Sequence, residues 1–531
     1  MKKLILALLV LISLVLTSCA DAIPTPDAPS DGGGENSGTA DNGGDTSGDS
    51  ATVECAAHVD TDDNGRCDRC TVSVLLAIDF YGINDFHGKL FDTEIQQGAD
   101  ELTTYIKKMT GADEHSVILS SGDMWQGSAE SSATYGAIIT DWMNSVGFAA
   151  MTVGNHEYDW GREHIENNAS LAEFPFLAIN VCDRSTNERV EYAESSVVVE
   201  RGGIKIGIIG AIGDCYSSIL GSMVEDVYFK TGSELTALVK EESRRLRAEG
   251  VQIIVYSLHD GFENGSYNNK TVADYKISSY YDPTLSSGGF VDLVFEGHTH
   301  QQYVMKDNYG VYHLQGGGDN DGLTHAELKL NTVTGKRRIS EANLVSGSVY
   351  SKLSDDPVVE LLAQKYANEL NSIYKTIGTN AYNKSSDYMR ALVARLYLEF
   401  GEQVFGDDYD IVLGGGFISI RSPYYLPAGE VSYSDLSTLF PFDNRLVLCS
   451  VSGKTLKERF IETNNSDYYV AYGEYGESVK SKIDTGATYY ILVDTYTAEY
   501  APNRLTVVEE YDADIYARDL LAQFIANGGL S

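Results

Sequence analysis

Basic residues are scarce in this chain. Lysine and arginine total 39 against 77 aspartates and glutamates, a formal charge of −38. Such a surface repels nucleic acid polymers and anionic membranes at long range, so neither is an expected partner. An anionic small substrate would need local cations, either metal ions or a few placed arginines. Long apolar runs are equally scarce. After Leu16 no stretch is long and apolar enough to span a membrane, and Asn527 to Ser531 carry no anchor signal. Cysteine is rare, seven in 531 residues. Hydrophobic content is 43%, ordinary for a globular protein, and the length exceeds what one core organises, so at least two folded domains are expected.

Residues 1–19 read as a targeting segment and not as structure. Lys2 and Lys3 form its charged end, and Leu4 to Leu16 an apolar run too short for a comfortable membrane span. Leu16-Thr17-Ser18-Cys19 resembles a bacterial lipoprotein signal box, which implies lipidation of Cys19 as the mature N-terminus; ordinary cleavage near Ala20 is the other reading. Either way the chain is exported and disulfides are permitted. The expected location is the cell surface or periplasm, with the bacterial membrane contacted through the N-terminal lipid alone. Residues 20–52 are rich in Asp, Gly, Ser, Pro and Thr and read as a flexible acidic tether.

Residues 53–72 hold a small module that supports three readings. Cys55-x2-His58 and Cys67-x2-Cys70 are two pairs of soft ligands able to close a tetrahedral zinc site. Asp60, Asp62, Asn64 and Gly65 match the first half of a calcium loop, with Asp68 further on, but position twelve is Thr71 where a closing glutamate belongs. A disulfide knot would leave one of the three cysteines over. The module is given no catalytic role.

From about Ser73 the texture changes to alternating strands and helices. Strands are expected at Val74–Ile83, Ser116–Ser120, Ala149–Val153, Ile204–Ile209, Val251–Tyr256 and Val291–Phe295. Helices are expected at Leu102–Met109, Ile138–Val146 and Glu234–Ala248. This is an α/β layered domain over 73–347, with helices covering a central sheet or pair of sheets. Val358, Leu361, Leu362, Tyr366 and Leu370 recur at helical spacing, so Pro357–Tyr374 reads as one connecting helix within a linker, 348–378. A second α/β domain follows over 379–531, with helices at Tyr388–Phe400, Ser432–Leu439 and Ala513–Ile525. Its strands are Ile411–Leu413, Arg445–Val451 and Tyr489–Val493.

Five loops of the first domain share one build, an apolar strand followed at once by polar residues. They are Asn84-Asp85-Phe86-His87-Gly88, Ser121-Gly122-Asp123, Gly154-Asn155-His156-Glu157-Tyr158-Asp159, Leu258-His259-Asp260-Gly261 and Gly297-His298-Thr299-His300. Open α/β sheets bind ligands at the carboxyl ends of their strands, where all five lie. Mixed Asp, Asn and His donors suit zinc, manganese, iron or cobalt, not an all-oxygen calcium cage. His115, His164, His313 and His325 fit no such pattern and read as structural or exposed.

The order Asp-x-His, Gly-Asp, Gly-Asn-His, His-x-Gly, Gly-His-x-His resembles the calcineurin-like metallophosphoesterases. More narrowly, it is similar to the 5′-nucleotidase family, which includes UDP-sugar hydrolases and 2′,3′-cyclic-nucleotide phosphodiesterases. The resemblance spans about residues 75 to 500. It implies a four-layer sheet sandwich followed by a smaller α/β (α+β) domain that binds base and sugar, with two divalent metal ions (Zn, Mn, Fe or Co). By that resemblance Asp85, His87 and His300 hold one ion, Asn155, His259 and His298 the other, and Asp123 bridges them. His300 stands where many nucleotidases have Gln or Asn. His156 would be no ligand but would act on the transition state or leaving oxygen, with Asp159 holding its imidazole.

The second domain departs from the family pattern. The family's Asn-Gly-Gly-Gly-Ile-Arg appears as Leu413-Gly414-Gly415-Gly416-Phe417-Ile418-Ser419-Ile420-Arg421, so Arg421 is the candidate phosphate-binding arginine. Phe440-Pro441-Phe442 matches the Leu-Pro-Phe motif and makes Phe442 the candidate stacking aromatic. Tyr496 is the second candidate, but no Gly-Gly-Asp-Gly follows it to hold the ribose. Arg390 is a weak substitute for a second arginine. The expected activity is metal-dependent hydrolysis of a small phosphorylated substrate, a nucleotide, outside the cell. The alternatives are a cyclic-nucleotide phosphodiesterase or nucleotide-sugar hydrolase, and a binding protein that keeps its metals without chemistry.

Overall fold

The structure is a computed structural model. It describes residues 55, 57–92, 97–111, 114–262, 281–421, 424–463, 466, 468–473, 479–500, 505–511 and 515–530. The readings for Cys19, the signal segment and the tether lie outside the described residues. Among the described residues no helix is long and apolar enough to cross a membrane.

Two six-stranded sheets form the first domain. One runs, edge to edge, Arg337–Ser346, Gly322–Asn331, Leu75–Ile83, Ser116–Ser120, Ala150–Thr152 and Phe176–Leu177. The other runs Gln302–Lys306, Tyr312–Gly316, Leu293–Glu296, Ile253–His259, Ile204–Ile212 and Ser196–Arg201. Strand side chains alternate between faces, and here both faces are apolar. Ile78 and Phe80 of the first sheet meet Ile206, Ile208, Ile253 and Val255 of the second, forming a core between the sheets. Tyr81 and Ile83 point the other way, into a core shared with Leu102, Ile106, Ile138 and Trp142 of flanking helices. On the far side Ile209, Ile254 and Tyr256 pack against Leu235, Val239 and Leu246. The last three lie on helix Gly232–Ala248 at spacings of a buried helical stripe, with Glu234 in its first turn and Arg245 and Arg247 in its last complementing the helix dipole. The layers are therefore helix, sheet, sheet, helix, the four expected.

The strands leading to the candidate loops are parallel to their neighbours: Leu75–Ile83 to Ser116–Ser120, that strand to Ala150–Thr152, and Ile253–His259 to Leu293–Glu296. Parallel strands put their carboxyl ends on one edge, which gathers five loops whose first and last, at Asp85 and His298, are 213 residues apart in sequence.

The connector differs from expectation. It is two helices, Pro357–Lys365 and Ala367–Tyr374, broken at Tyr366, whose φ of −100° and ψ of 23° lie outside helical geometry. Val359, Leu362, Leu370 and Ile373 are buried in the same core as Trp142 and Ile106. Tyr366 donates to Asp141 at 2.6 Å and Tyr374 to Glu130 at 2.7 Å. Both helices thus pack onto the core of the first domain.

The second domain carries a mixed five-stranded sheet in the order Tyr468–Tyr472, Ile411–Phe417, Thr488–Asp494, Leu446–Ser452, Thr506–Glu510. Helix Ser386–Phe405 covers it and is longer than expected at both ends. The strand Ile411–Phe417 includes all three glycines, paired with Tyr469, Val470 and Ala471. A Cβ on Gly414 would strike the backbone of Leu398, so that glycine is needed for close helix–sheet approach.

Candidate metal centre

Five of the seven candidate ligands sit at positive φ: Asp85 (48°), His87 (52°), Asp123 (55°), His298 (68°) and His300 (52°). Non-glycine residues rarely adopt this region, and such strain clusters at functional sites. Gly122, at φ 93°, makes room for the cluster, since a Cβ there would stand 2.7 Å from His259 Nδ1.

The ligand atoms converge in two groups. Asp85, His87 and His300 offer donors within 4.8 Å of one another, as do Asp85, Asp123 and His259. His87 Nδ1 lies 2.6 Å from the carbonyl of Gln126, and Nε2 lies 3.0 Å from His300 Nε2. His259 Nδ1 lies 2.7 Å from the carbonyl of Ser121, and Nε2 lies 3.1 Å from both Asp123 Oδ2 and Asn155 Oδ1. His298 Nδ1 is 2.7 Å from the same Asn155 oxygen. His259 is thus the last residue of its strand, and Asn155 joins it to His298.

These distances test whether metal ions fit. A carbonyl can only accept, so His87 and His259 each spend their Nδ1 proton on it, and each neutral ring turns a bare Nε2 inward. At His87 that lone pair faces a second imidazole nitrogen. At His259 it faces a carboxylate and an amide oxygen. Facing lone pairs repel unless a cation lies among them, and the donor set fits divalent transition metals. The charge pattern reports the same need. Burial disfavours the His259 imidazolium, yet Asp123 and Asp85 outweigh it and raise that residue to about 10; a proton or a metal ion answers the same convergence of negative charge. Burial pushes Asp85 up to about 6 and His298 down to about 4.

His156 lies outside both groups. Its ring is 5.2 Å from that of His87, and its Nδ1 is 2.7 Å from Asp159 Oδ2. Burial opposes its charged form, but Asp159 and Asp123 prevail and hold it at about 9. Its backbone N–H donates to Asp123 Oδ1 at 2.8 Å.

Sequence reasoning gave Glu157 no role, yet it ties two loops together. Its buried carboxylate accepts from the backbone N–H groups of Asp123 (2.9 Å), Met124 (2.8 Å) and Gly154 (2.7 Å). Asn84 was likewise passed over: it donates to Asp85 at 2.6 Å and to the Gly317 carbonyl at 2.6 Å, fixing the carboxylate. Cys215 groups with His259 and His298, but burial holds its pKa well above the usual thiol value. Of the histidines read as structural or exposed, His313 is fully buried between Glu296 and Asp307, His325 pairs with Asp79, and His164 stacks on Tyr135.

The second domain reaches this edge. The Phe442 ring centroid is 6.2 Å from that of His156, and the Arg421 guanidinium lies 5.2 Å over Phe442. The charge of Arg421 is felt at His156, and that of Asp443 at Asp159. Phe442 is held by a residue the sequence did not single out. Arg518, buried on helix Ala517–Ala526, donates to the carbonyls of Phe440 and Phe442 at 3.3 and 3.1 Å and pairs with Asp443. The Tyr496 ring packs on Phe417 at 5.4 Å. Arg390 donates to the Ile418 carbonyl at 3.0 Å and so braces the chain before Arg421.

Two family models match the chain, the calcineurin-like phosphoesterase over residues 78–302 and the 5′-nucleotidase C-terminal domain over residues 400–502. The chain is 23% identical to protein UshA of Yersinia enterocolitica over 420 residues, 71% of this chain and 74% of that one. It is 24% identical to an apyrase of Tabanus yao over 434 residues, 71% and 72% of the two chains. The structure of a 5′-nucleotidase precursor from Thermus thermophilus superposes with a TM-score of 0.61 at 17% identity, covering 85% of this chain and 96% of that one, a likeness of fold. With that fold, both family domains and this edge of converging donors, the chain belongs to the 5′-nucleotidase family of calcineurin-like phosphoesterases and is a metallophosphoesterase hydrolase.

Proposed function

We propose that this hydrolase removes phosphate from nucleotides, in a cleft where the metal centre meets the Phe442 loop. The observation that carries the reading is the Phe442 ring 6.2 Å from His156, with the Arg421 guanidinium 5.2 Å from the same ring. An aromatic face, a cation and an acid–base histidine within one small region match a base or sugar, a phosphate and a leaving oxygen. Asp85, His87 and His300 would hold one divalent ion, Asn155, His259 and His298 would hold the second, and Asp123 would serve both. Such ions, when bound, supply Lewis acidity that lowers the pKa of water and neutralises phosphoryl charge. His156, tethered through Nδ1 to Asp159, holds a proton at Nε2 for the leaving oxygen. Arg421 orients the phosphate, and Phe442 stacks on the base.

Phosphate release from nucleoside monophosphates, nucleotide sugars and cyclic nucleotides, measured with manganese, tests this. Release from a nucleoside 5′-monophosphate is expected to lead; release from none of the panel sinks the proposal. Phe442→Ala should raise KM for a purine nucleotide about tenfold or more, given the roughly 1–3 kcal/mol of base–aromatic stacking, and spare a phosphate ester without a ring. Equal loss on both would make Phe442 structural.

The site of action is proposed to be outside the cell. The support is the apolar run Leu4–Leu16 followed by Leu16-Thr17-Ser18-Cys19, which suits an N-terminal lipid anchor on a bacterial surface. Cys19→Ser should move the activity from the membrane fraction to the soluble one; retention in the membrane fraction counts against lipidation.

A further inference from the structure

We infer that Cys55, His58, Cys67 and Cys70 bind one structural zinc ion, at a site separate from the catalytic centre. Their four ligand atoms lie within 4.8 Å of one another. Cys55 Sγ is 3.7 Å from Cys67 Sγ, and Cys70 Sγ is 3.4 Å from His58 Nδ1. Sulfur and nitrogen atoms around a tetrahedral zinc at about 2.3 and 2.0–2.1 Å stand roughly 3.5–3.8 Å apart, close to these two separations. Three thiolates and one imidazole are a closed, four-coordinate donor set of the structural type, with no position left for substrate.

The intervening loop presents those ligands. Asp60 accepts from the backbone N–H of Asn64 at 3.0 Å and of Gly65 at 2.9 Å, and from Asn331 Nδ2 at 2.7 Å. Asp68 accepts from the Thr61 N–H at 3.0 Å and its hydroxyl at 2.5 Å, and Asp62 from Asn64 Nδ2 at 2.9 Å. The carboxylates of the calcium reading are thus engaged by donors of the protein itself and shape the turn. None of the described cysteines is disulfide-bonded, and a Cys55–Cys67 bond would need the sulfurs to close from 3.7 Å to about 2.05 Å and would leave Cys70 and His58 facing it unused.

The module docks on the hairpin that begins at Asn331. Asp63 accepts from Asn331 Nδ2 at 3.0 Å and Thr334 Oγ1 at 2.9 Å and pairs with Lys336 at 3.1 Å, while Val74 donates to the Gly65 carbonyl at 3.0 Å. This is the start of strand Leu75–Ile83, and the catalytic edge is at its end. Nine residues at about 3.3 Å each separate the two sites by roughly 30 Å. A module this short buries little apolar surface, and metal binding supplies its folding free energy instead. Zinc would lock the chain from Cys55 to Cys70 onto the sheet end opposite the active site.

The test uses the full chain, purified under reducing conditions, equilibrated with zinc and dialysed, with zinc measured by mass spectrometry. Asp123→Asn, which disables the catalytic centre, should retain one zinc per chain. Adding Cys67→Ser and Cys70→Ser to it should remove that ion. In cobalt-loaded wild type the thiolate-to-cobalt charge-transfer absorption should appear, and vanish in a variant carrying only Cys67→Ser and Cys70→Ser, whose manganese-dependent hydrolysis is retained. In wild type itself, a chelator should release zinc together with reactivity of the Cys55, Cys67 and Cys70 thiols, which needs no variant to fold. The inference is overturned if zinc is equal with and without the cysteines, if those thiols react only after a reductant (a disulfide), or if calcium binds there and zinc does not. Failure of hydrolysis in wild type would speak against the proposed function and leave these readouts untouched.

Discussion

Asp123→Asn should lose the metal of the catalytic centre and nearly all hydrolysis together, the largest effect expected of any single substitution. Asp123 is fully buried, and although burial opposes ionisation, His259 and His156 hold its carboxyl well below the usual range, so it carries a full negative charge. One oxygen takes the His156 N–H at 2.8 Å, and the other faces His259 Nε2 at 3.1 Å. The isosteric amide removes the charge and can turn N–H groups toward a place that needs lone pairs. A metal's stabilisation of phosphoryl charge amounts to several kcal/mol, so its loss is on the order of 10³-fold or more in rate. Metal content and phosphate release measured on one preparation decide it. A variant that keeps both ions and most of its rate would show that Asp123 is not shared between them.

His156→Ala should divide the two properties. The variant is expected to keep two ions, because His156 stands outside both converging groups and its Nδ1 is committed to Asp159. Its rate should fall by about 10²–10⁴, the usual contribution of a positioned acid–base group. The backbone N–H that braces Asp123 survives in alanine, so the loop should persist. Loss of metal on this substitution would make His156 a ligand and end the assignment of separate roles.

Much of the first domain was legible because its signals are local. Strands read as apolar runs, and the polar residues that follow them are adjacent in sequence, so the loops at Asp85, Asp123, Asn155, His259 and His298 could be found one by one. Boundaries were less legible. The strand expected to end at Tyr256 runs on through His259, because neighbouring strands in a parallel sheet extend one another's pairing. The single connecting helix became two, because its apolar positions are claimed by the first domain's core and not by a free helix.

The second domain was read less completely. Phe442 and Arg421 come together on the catalytic edge, and the Tyr496 ring packs on Phe417. Residues such as Arg518 carry no local signal. A lone arginine near the end of a chain reads as surface until its partner, 75 residues earlier, is known.

The sequence by itself determined which chemistry is present: the order of Asp, Asn and His after apolar strands, and a histidine with a carboxylate three residues on. These are properties of residue type and short spacing. Only the tertiary structure decided how the donors face one another. The carbonyl that sets the His259 tautomer comes from Ser121, 138 residues away, and the one that sets His87 comes from Gln126, 39 residues away. Glu157 binds loops that begin more than thirty residues apart. A tautomer or a buried carboxylate's purpose depends on what the fold brings within about 3 Å, and that proximity is set by the packing of two sheets, not by any neighbouring residue in the chain.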